Sequence, residues 1–377
     1  MLKKLRSIFG GDRKGTEEFT LNSKAQVLPS ELRLPETDQC FPFADHVKFH
    51  LNLPLVDWDA VHAWIEKLDT EDVRAKAWTM AEHAWLTHLQ AALGNRYHLI
   101  HSDTAILLSP LEKNVANATI EFIGRTLKRV IKVLDGIADV SPWGKDILIV
   151  FENEDQYYDY VSYYYPEDGE FAFSGGMFIS AGCSHFVTVQ SDLRTAEPVI
   201  AHEMTHACLS HLPIPLWLNE GLAVNTEHRL TGKPAGLYSP QEMRAKHLAF
   251  WDAEKVQEFW SGKSFSRTDD GNMLSYDLAR ILVETFSKDW ASFKQFVIEA
   301  KWQDGGAEAA RLYLGASLGD YVSSLLEQTS SAEFEPALEA SENPSAAGSM
   351  RYPVDGPGPA TTSYRFAAVV ESLLDPG

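Results

Sequence analysis

Apolar positions recur at helical spacing in the first third of the chain. Val61, Trp64, Ile65 and Leu68 fall on one face, and Trp78, Ala81, Trp85 and Leu89 form a second stripe of the same kind. Asp57 or Asp59 can cap the first helix, and Gly94 can end the second. Residues 41–94 therefore predict a helical N-terminal module. The period then changes. RYHLIHSDTAILLSP predicts strands, and NATIEFIGRTLKRVIKVLDGIA predicts an amphipathic helix. ILIVF at 147–151 is a short apolar strand, and GGMFIS (175–180) and HFVTVQ (185–190) predict paired strands. Helical patterning dominates from there to about residue 328. Strands first and helices after is α+β order, with a small mixed sheet in a domain over 95–328.

The two ends differ from this body. Residues 1–40 predict a tail. Its start, MLKKLRSIFG, carries Lys3, Lys4 and Arg6 with Leu2, Leu5, Ile8 and Phe9 at helical spacing, a pattern that allows weak membrane-surface contact. No apolar run follows, so no secretion signal is expected. Residues 329–377 are rich in Ser, Ala, Pro, Gly and Glu without a period and predict a mostly disordered acidic tail, with a short helix at Phe366–Leu374. The longest uncharged run, Phe171–Ser191, holds Ser-Gly-Gly, Cys183 and His185. It predicts two strands and a turn, not a transmembrane segment.

Composition narrows the function classes. The 377 residues carry 33 Lys+Arg against 53 Asp+Glu, a net charge of −20. Such a chain does not track a phosphate backbone by bulk electrostatics, so no nucleic-acid partner is expected. Cys40, Cys183 and Cys208 are too few and too scattered for a disulfide framework, which fits a reducing, cytoplasmic setting.

The chemistry lies in AEPVIAHEMTHACLSHLPIPLWLNEGLAV. His202 and His206 stand four apart, one turn along a helix face, so their imidazoles can converge on one zinc ion. Glu203 lies roughly 100° round the helix, beside an open coordination position, where a carboxylate can take a proton from water. Ile200, Met204, Ala207 and Cys208 make the opposite, packing stripe. Thr195 is the expected cap, with Pro198 in the first turn. A Pro-Ile-Pro turn at 213–215 leads into a second helix whose Glu220 can fold back as third ligand, completing a His2Glu site for one Zn2+ per chain.

HEMTH followed by WLNEGLA resembles the gluzincin zinc metallopeptidases, most closely their peptidase MA-like branch. The resemblance spans about 95–300 and is specific over 196–224. It implies a thermolysin-like fold, zinc bound by His202, His206 and Glu220, Glu203 as general base, and a peptide or protein substrate. Some gluzincins place an Asp one turn after the ligand Glu to hold a zinc-binding His. Here that position is Val224, and the nearest acid on the same face, Glu227, reads as a solvated surface group. Gly175, Gly176, Met177 and Phe178 occupy the place of the family's substrate-pairing strand. Phe178 stands where aminopeptidases carry an amine-binding Glu, which favours endopeptidase action. Tyr276 is the expected oxyanion donor.

The rival expectation is a catalytically silent gluzincin-like domain that binds peptides or acts as a scaffold. A third, a membrane adaptor using the basic N-terminus, predicts liposome binding lost on removing residues 1–15. Other clusters carry less. His46 and His50 have i, i+4 spacing without a third ligand, and the tyrosines at 157–165 read as an aromatic packing face.

Overall fold

The computed structural model describes residues 28–35, 39–140, 143–164, 176–179, 181–190, 193–233, 238–329 and 331–337. The basic start, the helix expected at Phe366–Leu374 and Gly175 lie outside the described residues. In chain order the elements are β1 (Leu32–Arg33), β2 (Cys40–Phe41), β3 (Val47–His50), β4 (Leu53–Val56), α1 (Trp58–Ile65), α2 (Glu71–Leu93), β5 (His98–His101), β6 (Ala105–Ser109), α3 (Lys113–Val133), β7 (Asp146–Phe151), α4 (Glu154–Val161), β8 (Gly176–Ile179), β9 (His185–Val189), α5 (Leu193–Leu209), α6 (Leu216–Thr231), α7 (Pro240–Phe250), α8 (Ala253–Ser261), α9 (Asp270–Phe286) and α10 (Trp290–Glu299). Shorter helical turns follow. The chain thus mixes helices with small sheets, with α1 and α2 ahead of the central sheet and α3 and α4 between its parallel strands rather than all helices after it, and none of its described helices is long and apolar enough to cross a membrane.

A five-stranded mixed sheet, ordered β5-β6-β7-β9-β8, divides the core. β6, β7 and β9 run parallel, and the outer strands β5 and β8 are antiparallel to their neighbours. Side-chain alternation sends Leu107, Leu148, Val150 and Phe186 to one face, where they pack with α3, α5, α6 and α9. Ile106, Leu108, Ile147, Ile149, Phe151 and Val187 go to the other face and meet the Trp stripes of α1 and α2. β7 is apolar from Ile147 to Phe151 because both of its faces are covered. The tyrosines of α4 join the second face. Tyr157, Tyr160 and Tyr164 are buried, and Tyr160 Oη lies 2.7 Å from His185 Nε2.

Two local expectations are corrected. Residues 41–94 are not helical throughout. They begin in β2 and continue through the β3–β4 hairpin, where His46 and His50 stand at strand positions or beside them. The hairpin turn places Leu51 and Asn52 at φ 46° and 68°. That two-residue geometry usually announces itself by Asn-Gly or Gly-Gly, and Leu-Asn gives no such signal. The helices that follow share one core with the sheet. The second correction concerns α5, which starts at Leu193, so Thr195 lies inside it and not at its cap. Pro198 also sits within the helix, where it removes one backbone hydrogen bond.

α2 itself carries a buried acid, Glu82, only 2% exposed. It accepts the backbone N–H of Lys145 at 3.2 Å. At Gly144, φ is 80° and a Cβ would come 2.2 Å from Glu82 Oε1, so that turn requires glycine. Burial pushes the Glu82 carboxyl up to about 8, against its hydrogen bonds from Lys145 and Trp78. A folded-state pKa raised above the unfolded 4.5 means that the contribution of this group to stability is fully present below pH 4.5 and is lost as pH rises through 8. Glu82→Gln is expected to gain on wild type by up to about 5 kcal/mol between pH 4.5 and 9. Denaturant unfolding at the two pH values checks it; a constant difference between the proteins counts against an ionisable Glu82.

Candidate metal centre

α5 and α6 build the site. Ile200, Met204 and Cys208 on α5 are buried in the core, which turns His202 and His206 to the opposite side. After the turn at Pro213 and Pro215, α6 is anchored by Trp217, fully buried, whose Nε1–H donates to Gly305 O at 3.0 Å. Gly221 lets α6 lie directly on α9. A Cβ there would fall 2.6 Å from the Ala279 carbonyl oxygen and 2.7 Å from Val283 Cγ2. The glycine beside Glu220 is therefore a packing requirement, since backbone cannot yield as a flexible side chain can.

Glu220 reaches back from α6 to both histidines. Its Oε2 lies 3.2 Å from His202 Nε2 and 3.5 Å from His206 Nε2. One donor atom from each of His202, His206 and Glu220 lies within 4.8 Å of the others, an arrangement that could hold a metal ion. The imidazoles meet nearly edge-on, at 80° with ring centroids 4.8 Å apart. The far nitrogens are also engaged. Asn219 Oδ1 accepts from His206 Nδ1 at 2.9 Å, and Glu227 Oε2 lies 3.2 Å from His202 Nδ1. An Nδ1–H held by an acceptor leaves the Nε2 lone pair for a metal.

The donor set fits zinc. Four tetrahedral ligands at ~2.0–2.1 Å stand roughly 3.3 Å from one another, and the Glu220 spacings of 3.2 and 3.5 Å bracket that value. Two imidazoles and one carboxylate are a ligand set used by zinc sites with an open position. The charge also fits. Glu203, Glu220 and Glu227 are carboxylates gathered with two imidazoles, and acids at such depth need compensating positive charge.

The titrations reflect this crowding. Burial opposes a charge on His202, but the hydrogen bonds and charge of Glu220 and Glu227 overcome it and push the ring up to about 10. His206 is raised too, by Glu220 against burial. Glu220 is held well below the usual carboxylate range, against burial, by the two histidines. Glu203 goes the other way, because burial raises it more than His206 and His202 lower it.

His202, His206 and Glu220 thus come together, with Glu203 buried next to them on α5. Gly176, Met177 and Phe178 lie on β8, the outer strand of the sheet, paired with Thr188, Val187 and Phe186. β8 also touches α5. Tyr276 is buried in α9 with its ring edge-on to Phe265, centroids 5.1 Å apart. Glu227 corrects the sequence reading. It is not a solvated surface acid but 7% exposed, and it faces His202. The signal was its position seven residues after Glu220, almost two full turns, which returns it to the same helix face. Asn219 was missed altogether, though it directly precedes the third ligand.

Neither protein-family models nor curated proteins give a match to this chain.

Proposed function

We propose that this chain is a zinc-dependent peptidase of the gluzincin type, cleaving internal peptide bonds, with zinc held by His202, His206 and Glu220. The observation that carries the reading is the convergence of both Nε2 atoms on Glu220 Oε2 while each Nδ1 is held from behind. Zinc bound there would supply Lewis acidity, polarising a scissile carbonyl and making a water molecule more acidic. Glu203 takes the proton of the attacking water and passes it to the departing amine. Its raised pKa supports the first half of that exchange, because a more basic carboxylate takes the proton of water more readily.

β8 is the element that would hold the substrate backbone, since an outer strand can pair with an extended peptide with little regard for its side chains. Tyr276 is the residue proposed to donate to the oxyanion. It precedes Ala279 by one turn, on the α9 face that meets α6 at Gly221. A reducing, cytoplasmic setting belongs to the same reading and is supported by Cys40, Cys183 and Cys208 all being free thiols.

The test is an unfolded protein substrate incubated with zinc-loaded protein and with a chelator-treated sample, the products being sequenced by mass spectrometry. Internal cuts that vanish with the chelator and return with zinc are expected. Substrate that is bound but never cut, by protein shown to carry zinc, would instead establish the silent peptide-binding domain.

A further inference from the structure

We infer that His185 is a positioning residue for the proposed reaction. It fixes the turn between β8 and β9, and through that turn the strand along which substrate backbone would lie. This rests on the peptidase reading above. β8 is an outer strand, and β9 is its one hydrogen-bonded neighbour among the described residues. Ile179, the last residue of β8, pairs with His185, and residues 181–184 belong to the turn between them. Where β8 stands therefore depends on what holds that turn.

The turn is held from α1, α2 and α4, on the sheet face opposite α5. His185 alternates with Phe186, which packs on the α5 side, and so turns the other way. Its buried ring meets Trp85 of α2 edge-on, centroids 4.9 Å apart. Nδ1 lies 2.7 Å from Cys183 O, and Nε2 lies 2.7 Å from Tyr160 Oη. A carbonyl only accepts, so Nδ1 carries the proton and donates, and Nε2 accepts from the tyrosine hydroxyl. Burial holds the ring down to about 4, which keeps it neutral and preserves this tautomer. Two further contacts grip the same turn. At Gly182, φ is 69° and a Cβ would come 2.2 Å from Trp58 Cδ1, so the backbone rests against that indole. Cys183 is fully buried, with Sγ 3.9 Å from Glu82 Oε1. The N-terminal helices are thereby tied to the proposed substrate strand, and His185 makes the tie through Cys183 O.

Two amides separate the bonds of the ring. His185→Asn sets an N–H near the place of Nδ1 and can still donate to Cys183 O. His185→Gln sets its amide near the place of Nε2, where it meets Tyr160 and leaves Cys183 O without its donor. Both lose the ring against Trp85, so a merely structural role predicts equal damage. Steady-state cleavage of an extended fluorogenic peptide by the zinc-loaded proteins would be measured, with zinc content and Tm of the same samples. In His185→Gln, KM is expected to rise roughly 10-fold with kcat and bound zinc kept, because a buried hydrogen bond that serves substrate binding is lost. In His185→Asn, KM should stay within about threefold of wild type although Tm falls as far. Gly182→Ala, which pushes the turn off Trp58, should raise KM as His185→Gln does, and it decides if the Gln variant does not fold. KM that rises alike in Asn and Gln in step with Tm, or that stays at the wild-type value in both Gln and Gly182→Ala, would overturn the role of His185 alone. Wild type that carries zinc and cleaves nothing would overturn the peptidase reading, and this inference with it.

Discussion

Replacing Glu203 by Gln is expected to lower peptide turnover by about 10²–10⁴-fold, the usual contribution of a positioned proton-transfer group. Zinc uptake should stay near ~1 per chain. The two effects separate because Glu203 lies outside the group of donors that converge, which is His202, His206 and Glu220. An amide fills the same space but accepts no proton. Burial holds the Glu203 carboxyl above its ordinary range, so it is protonated at a higher pH than a surface glutamate. Steady-state cleavage of a fluorogenic peptide across pH, beside elemental analysis of the same samples, checks both points. Turnover within tenfold of wild type would remove Glu203 from the reaction.

The second large effect belongs to Glu220. Glu220→Ala should reduce bound zinc from ~1 per chain to a small fraction of that, and abolish cleavage with it. Its Oε2 is the atom on which both Nε2 atoms converge, at 3.2 and 3.5 Å, and no other carboxylate completes the described donor group. The loss should be visible in stability. A ligand at a thousandfold its Kd stabilises the folded state by about 4 kcal/mol. Wild type should lose that increment on chelation, whereas the variant should melt alike with and without chelator. A variant that still gains stability from zinc would mean that the metal is held elsewhere.

Much of the site was legible because its logic is local. Two histidines one turn apart and an apolar stripe opposite them follow from the helical repeat, and burial of Ile200, Met204 and Cys208 matches that stripe. The strands of the central sheet were legible for a similar reason. Their short apolar runs lie between turn residues, and β7 needs both faces covered. The β3–β4 hairpin was not, because Leu51 and Asn52 adopt left-handed backbone without the glycine that marks such turns. The start of α5 was not either, because a proline after Thr195 reads as a first-turn signal while the helix in fact begins at Leu193.

By itself, then, the sequence determined the mixture of helices and short strands, the periodic core stripes and the three residues able to share a metal ion, since each depends on local spacing along the chain. Tertiary structure alone decided that α1 and α2 share a core with the sheet, that β8 is an outer strand beside α5, and that Glu227 and Asn219 stand behind the histidines. Burial and charge pairing at those positions arise only when α6 packs against α5 and α9. A side chain's place on its own helix does not say which neighbour will exclude water from it.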